Sequence, residues 1–334
     1  MNILIVGASG NLGSHLSKHL LGSPHRLRLL THKRALPFDL PQDANAEIIQ
    51  ADLNEPSSLH SVCKDIDCIV YLAGVLFQAR PETFLHRTNT VFVQNIVDAA
   101  LHSGVRKFIL VSFPHVEEGT TPSAPARGKL DVHPKSIHAR TRLEAEKYLF
   151  TACENKIMKP LVLRAGVVYG RGVKLTEAAR WLMRKRILAV WLKPTWVHLL
   201  ALPDFLTLVE RSIERDHLSG IYNLCDDRPL PLQEFLDRLA THWGYRKPWR
   251  LPAFAFYWAA SLCENGAVFL HTSTPLTRDI VDMAMTSVVA DTARMKQELM
   301  PQLAYPTVDQ GLTSVNRPAM GAFVMPDPTP AVVS

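Results

Sequence analysis

The sequence predicts a doubly wound α/β fold on a parallel sheet, followed by a smaller, aromatic-rich C-terminal region. Three observations carry this. Short apolar, β-branched runs alternate with helix-periodic segments through the first half. A glycine-rich turn lies between the first such run and the first such helix. All six tryptophans fall between Trp181 and Trp258, where the alternation becomes irregular.

The elements follow in order. Asn2–Val6 reads as the first strand, then "RLRLLTH" (26–32), "AEIIQAD" (46–52), "DCIVYLAG" (67–74), "KFILVSF" (107–113) and "KPLVLRAG" (159–166). Between them, "LGSHLSKHLL" (12–21) and "VFVQNIVDAALHSG" (91–104) have helical periodicity. Near-continuous apolar strands separated by helices indicate a parallel sheet covered on both faces. The aromatic residues of the second half suit a small core or a pocket over the sheet. Residues 316–334 are rich in proline and small residues and read as a flexible extension.

"VGASGNLG" joins the first strand to the first helix and spaces Gly7, Gly10 and Gly13 as G-x-x-G-x-x-G. Glycine permits the tight turn and a close approach to a pyrophosphate, and the helix start offers N–H groups and a positive dipole end. Its place between strand and helix makes the turn a dinucleotide-binding loop of the Rossmann type. Gly7, Ser9, Gly10, Asn11, Leu12 and Gly13 are the candidate contacts. An NAD site usually carries an acid at the end of the second strand, on the ribose 2′-hydroxyl. Here that place reads Thr31-His32-Lys33-Arg34, with two fixed positive charges that suit a 2′-phosphate. NADP is therefore favoured over NAD. Asp52, followed by Leu53, ends the third strand and can accept a hydrogen bond from adenine. Leu72, Ala73 and Gly74 close the fourth strand, where small residues let backbone lie against the cofactor. His15 and His19 are four apart on the first helix, without an evident third ligand, and read as a surface pair rather than a metal site.

The formal charge is +6, with lysines and arginines dispersed; Arg184–Arg186 is the densest group. That describes a solvated surface better than a nucleic-acid face. Five cysteines without a C-x-x-C suit a reducing compartment and argue against a disulfide framework or structural zinc. The N-terminus enters a strand directly and shows no signal peptide, so a cytoplasmic location is expected. Residues 251–270 are apolar but interrupted by Glu264 and Asn265, too short a run for a bilayer span of ~20 residues. A buried helix is the plain expectation; a lid or a membrane-surface contact, aided by Arg246, Lys247 and Arg250, is the alternative.

From Met1 to about Thr313 the chain resembles the extended short-chain dehydrogenase/reductase family, with its epimerase, dehydratase and hydroxysteroid-dehydrogenase-like members. The resemblance rests on the order and spacing of "GASGNLG", "ADL", "YLAG", Asn89 followed by "NIVDAALHSGVRKFILVS", "LEAEKYL", "LRAGVVYGRG", "GIYNLCDDRPL" and "DTARMKQEL". It implies a nicotinamide cofactor held by residues 1–170, with Asn89 beside it. It also implies a substrate-binding region in residues 171–315, partly interleaved with the sheet, and a homodimer built from Phe92–His102 and His138–Ala152. In the family a Tyr-x-x-x-Lys pair precedes a stretch like "LEAEK"; the tyrosine is the general acid/base and the lysine holds the nicotinamide ribose.

In this register the chain has His138 for the tyrosine and Arg142 for the lysine. Ser112 stands near the family's catalytic hydroxyl, which often lies one position further on, at Phe113 here. Two readings stay open. In one, the protein is an oxidoreductase or epimerase acting on a small-molecule hydroxyl or carbonyl, with His138 as acid/base, Arg142 holding the ribose and Ser112 assisting. In the other, it binds a dinucleotide without turning it over, as a cofactor sensor or structural subunit. The substrate is a small molecule of either kind: an isoprenoid or sterol-like alcohol against the aromatics, or a sugar-nucleotide diphosphate met by Arg171, Lys174 and Arg180.

Overall fold

The computed structural model describes residues 1–75, 80–269, 272, 274 and 276–315. The expected flexible extension at 316–334 lies outside the described residues. The first half contains β1 (Asn2–Val6), α1 (Asn11–Leu20), β2 (Arg26–Thr31), β3 (Ala46–Gln50), α2 (Pro56–Cys63), β4 (Cys68–Tyr71), α3 (Phe92–His102), β5 (Lys107–Ser112), α4 (Ile137–Ala152) and β6 (Lys159–Ala165). The second half adds β7 (Val167–Tyr169), α5 (Lys174–Arg184), β8 (Ala189–Trp191), β9 (Trp196–Val197), β10 (Leu199–Ala201), α6 (Leu202–Glu214) and β11 (Gly220–Leu224). It ends with β12 (Leu230–Pro231), α7 (Leu232–His242), β13 (Trp249–Leu251), α8 (Ala253–Phe269), α9 (Arg278–Met285), α10 (Ala293–Glu298) and α11 (Val308–Gly311).

Among the described residues seven strands form one sheet, in the order β11-β6-β5-β4-β1-β2-β3, and every pairing is parallel. The chain winds outward from β1 in both directions, so the doubly wound expectation holds. The order reverses between β1 and β4, where open α/β sheets bind ligands beyond their carboxyl strand ends.

The strand period of two builds the layers. Ile3 and Ile5 pack on one face with Leu16 and Leu20 of α1 and Phe205 and Leu208 of α6. Leu4 and Val6 pack on the other with Leu59 of α2, Val93 and Ile96 of α3 and Leu149 of α4. Several strands stop short of their expected ends. The sheet releases the chain after Tyr71 and Ser112, so Leu72–Gly74 and Phe113 turn out over its carboxyl edge.

A third cluster lies in the second half, where Trp191, Phe235, Leu239 and Trp243 pack together under the ring of Phe256. Helix α8 departs from the buried helix expected for 251–270. Ala260, Glu264 and Ala267 face inward, while Phe254, Trp258 and Leu262 are 72%, 68% and 53% exposed. Among the described residues no helix is long and apolar enough to cross a membrane.

Candidate functional site

The site starts at the turn after β1. Gly7 adopts φ +90°, and a Cβ there would lie 2.7 Å from the Ala73 nitrogen. A Cβ on Gly13 would lie 2.1 Å from the Gly7 carbonyl oxygen, so α1 can sit this close to the turn only with glycine. Gly10 precedes α1, whose first turn holds no acid to repel an anion. The first N–H groups of a helix have no intrahelical partner, so Asn11, Leu12 and Gly13 offer theirs to a phosphate. The Asn11 side chain is spent otherwise. It donates to the Gly172 carbonyl at 2.8 Å and accepts from the Lys174 N–H at 2.8 Å, tying the loop to the start of α5.

At the end of β2, His32, Lys33 and Arg34 are exposed. The His32 ring meets the Ala51 carbonyl at 3.3 Å, and Asp52 accepts the Asn54 N–H at 2.9 Å, which shapes the turn after β3. Leu53 accepts from the Asn95 side chain at 2.8 Å. Burial, and after it the charge of Arg34, pulls the Lys174 ammonium below the ordinary lysine range. Lys174 stands at the dinucleotide turn through its N–H on Asn11, and Arg34 is near enough for its charge to act on it. His15 and His19 are both half-buried on α1: His15 lies against Gly172, and His19 meets Glu210 of α6 at 2.8 Å.

Helix α4 carries His138, Arg142 and Glu146 at four-residue spacing, all on its buried face. His138 is 3% exposed; its Nδ1 lies 2.5 Å from Asp279 of α9. Asp279 also accepts from the Ile137 N–H at 3.0 Å and the Ser136 hydroxyl at 3.4 Å, so it caps α4 from across the molecule. Burial raises the Asp279 carboxyl, but the His138 contact and those two donors overcome it and hold it below the usual carboxylate range. A carboxylate on Nδ1 favours the tautomer with the proton there and leaves the lone pair on Nε2. Nε2 is buried without a hydrogen-bond partner among the described residues.

One turn on, Arg142 is 6% exposed, and burial drives its guanidinium below the ordinary arginine range. Its Nη2 reaches the Ala73 carbonyl and Asn89 Oδ1, both at 3.5 Å, and lies against Gly74. Asn89 sits in the π-helical turn His86–Val91 and donates to the Thr141 hydroxyl at 3.1 Å, which ties it to α4 beside Arg142. Nε and Nη1 of Arg142, like the nearby Tyr71 hydroxyl, are buried with no partner among the described residues. Orphaned buried donors cost roughly 1–3 kcal/mol each and are rare without a reason.

The hydroxyl of Ser112 is taken up by the third residue of this helix face. Ser112 is buried, and its hydroxyl donates to Glu146 at 2.5 Å. Glu146 is bonded by Arg164 of β6 at 2.6 Å, and Arg164 also pairs with Glu117, which accepts N–H groups of Arg127, Gly128 and Lys129. This cluster was missed in the sequence, although a signal existed: Arg164 is a charge inside an apolar strand, which requires a buried partner. Asp279 had no such signal, being 141 residues from His138.

Two more orphaned polar atoms among the described residues belong to Tyr169, at the end of β7, and to Asp226, just past β11. Burial raises the Asp226 carboxyl to about 8, the charges of Asp227 and Asp204 adding and the Arg228 N–H opposing. The native state therefore keeps a proton that the unfolded chain sheds near the ordinary carboxylate value of about 4. Stability from this group is full below that value and lost as pH rises through about 8. Asp226→Asn should gain about 2 °C or more in melting temperature over the parent on going from pH ~5 to pH ~9. A constant difference would show that Asp226 is ionised throughout.

A doubly wound parallel sheet, with a glycine turn at its switch point and a charged helix beside it, defines a dinucleotide-binding α/β protein. The chain belongs to the NAD dependent epimerase/dehydratase family, whose model matches residues 3–193. Over 185 residues it is 28% identical to the UDP-glucose 4-epimerase of Vibrio cholerae, covering 53% of this chain and 55% of that protein. The match thus spans about half the length of that relative. Over 329 residues it is 22% identical to the 2-alkyl-3-oxoalkanoate reductase of Stenotrophomonas maltophilia, covering 93% of this chain and 97% of that one. The solved structure of MoeE5 in complex with UDP-glucuronic acid and NAD matches with a TM-score of 0.72 at 20% identity, over 94% of this chain and 97% of that one. This last likeness is one of fold.

Proposed function

We propose that the protein is a nicotinamide-dinucleotide oxidoreductase or epimerase acting on a hydroxyl or carbonyl of a small molecule, with His138 in the place of the family's tyrosine. The observation that carries this is the buried pair on α4: among the described residues, His138 Nε2 and Arg142 Nε and Nη1 lack partners beside the end of β4. The glycine turn stands at the same edge and suits a pyrophosphate, and the family membership and the NAD in the fold relative support the same cofactor class. When bound, the nicotinamide would accept or give the hydride.

The chain's own part is positioning and proton transfer. Arg142, steadied by Asn89, would bind the nicotinamide ribose oxygens through its orphaned nitrogens. His138 Nε2 would take the proton of a substrate hydroxyl, or return it to a developing alkoxide. Asp279 keeps the imidazole in the right tautomer and stabilises it when charged, as a carboxylate does in other His-based sites. The names of the relatives span a sugar-nucleotide epimerase and an oxoalkanoate reductase, both suited to acid/base work at an oxygen-bearing carbon. A homodimer through α3 and α4 belongs to this reading.

Arg34 and Lys174 support NADP over NAD, because two cations near the turn suit a 2′-phosphate. Fluorescence titration should give tighter NADPH than NADH binding, and Arg34→Ala should weaken NADPH about tenfold while sparing NADH. Tighter NADH binding would reverse the cofactor choice. No binding of either would overturn the reading.

A further inference from the structure

Apart from Leu175 and Phe269, the large exposed apolar side chains described in the second half lie on β13, on the flanks of β8 and along α8 as far as Leu262. Strand β13 pairs in parallel with β8, opposing Trp249 to Ala189 and Leu251 to Trp191. The pairing brings Ile187 and Leu192, 58% and 61% exposed, to the flanks of Trp249 and Leu251. Pro252 then turns the chain straight into α8, whose residues 254, 258 and 262 form a single stripe at four-residue spacing. The opposite face of α8 is the inward one: Phe256 meets Trp191 edge to face, and Glu264 holds Arg278 of α9 at 2.8 Å. Leucine, tryptophan and phenylalanine side chains therefore stand in water on an otherwise well-packed element.

Their charged surroundings are mainly of one sign; the acids in reach are Asp237, paired with Arg250 and Lys247, and Asp282, which accepts from Tyr257 of α8. The segments 178–203 and 238–263 contain no aspartate or glutamate. They carry Arg184, Lys185, Arg186, Lys193, Arg246 and Lys247, all exposed. The two segments meet in one groove lined by Arg186, Arg246, Lys247 and Trp249. The indole N–H of Trp249 donates to the Arg186 carbonyl at 3.0 Å, which fixes that ring among the cations.

We propose that this face docks on an anionic lipid bilayer, with Phe254, Trp258 and Leu262 entering the headgroup boundary and the cations meeting acidic lipids. An apolar helical stripe with tryptophan, rimmed by lysine and arginine, is the composition of helices that lie in the membrane interface. A second copy of the chain is the poorer occupant. A two-fold contact sets each patch against itself, and here it would bring the same cations together. The proposal is independent of the cofactor reading, because none of these residues belongs to the dinucleotide turn or to the buried face of α4.

The test uses the full chain and sedimentation with vesicles of phosphatidylcholine alone, or of equal parts phosphatidylcholine and phosphatidylglycerol. Binding should be about tenfold or more tighter to the anionic vesicles and should weaken as salt is raised. The Phe254→Ser/Trp258→Ser chain should lose it, with circular dichroism and dinucleotide affinity kept. So should Lys185→Glu/Arg186→Glu, which leaves the apolar stripe intact and serves if the first variant folds poorly. Cys263, exposed beside the stripe while Cys63, Cys68, Cys153 and Cys225 are buried, takes an environment-sensitive dye that should shift to the blue on anionic vesicles. No sedimentation, an unshifted dye, or equal binding to neutral vesicles would overturn the proposal. So would a parent chain that ignores vesicles but falls from dimer to monomer on Phe254→Ser/Trp258→Ser, which would make the face a protein interface.

Discussion

His138→Phe should bind the dinucleotide as the parent does and lose turnover by about 100- to 10,000-fold in kcat, the range expected for a positioned general acid/base. Phenylalanine fills much the same space in a position that is 3% exposed, so the helix keeps its packing. Asp279 keeps the Ile137 N–H and the Ser136 hydroxyl as donors, so its carboxylate is not stranded. What disappears is Nε2, the one atom on this part of α4 able both to take and to give a proton. Asp279→Asn gives a milder version. Its amide oxygen still accepts from Nδ1, but the charge that stabilises an imidazolium is gone, so kcat falls while the dinucleotide affinity stays. Stopped-flow measurement of hydride transfer, paired with equilibrium binding, separates the two quantities. Undiminished turnover in His138→Phe would remove the residue from the chemistry. A parent protein that binds the cofactor yet reacts with no alcohol, ketone or sugar nucleotide would instead fit the silent binding protein, a reading favoured by the commitment of the Ser112 hydroxyl to Glu146.

Arg164→Met should cost about 3–5 kcal/mol of stability, the range for breaking a buried ion pair from one side. Arg164 and Glu146 are wholly buried and Glu117 nearly so. One guanidinium therefore serves two carboxylates, helped by three backbone N–H groups on Glu117 and by Ser112 on Glu146. Without the arginine both carboxylates stay in the dry interior with too little charge to match them. Urea unfolding gives the loss directly. Replacing the acids too, as Glu117→Gln/Glu146→Gln/Arg164→Met, should recover much of it, because the penalty belongs to the stranded charges. A small loss in the single variant would mean that water reaches the cluster. The activity should fall as well, since Glu146 lies one turn beyond Arg142 on the same face of α4 and anchors that face to β6.

Much of the fold was legible in the residues because its causes are local. A run such as Ile3 to Val6 can serve only a sheet covered on both faces, and alternate residues do pack on opposite layers. Gly7 and Gly13 were legible for the same reason. The left-handed backbone and the missing Cβ are properties of the residue itself, and the close approaches at 2.7 and 2.1 Å require them. The spacing of His138 and Arg142 likewise placed both on one helix face.

Contacts across the chain were not legible. Helix α8 reads as buried from its composition, yet which side of an apolar helix meets the core depends on what packs there. Trp191 and α9 cover one side, and among the described residues Phe254 and Trp258 stay exposed. Ser112 stood at a plausible catalytic position, but its hydroxyl went to the nearest buried carboxylate, a partner 34 residues away.

The sequence by itself determined the parallel sheet, the dinucleotide turn and the unusual pair on α4, because spacing and residue type suffice where the physics is local. Only the tertiary structure decided what that pair can do. It brought Asp279 across 141 residues onto the His138 ring, and it buried Arg142 with two nitrogens unmatched among the described residues. Both outcomes depend on solvent exclusion and long-range closure, which no short window of residues encodes.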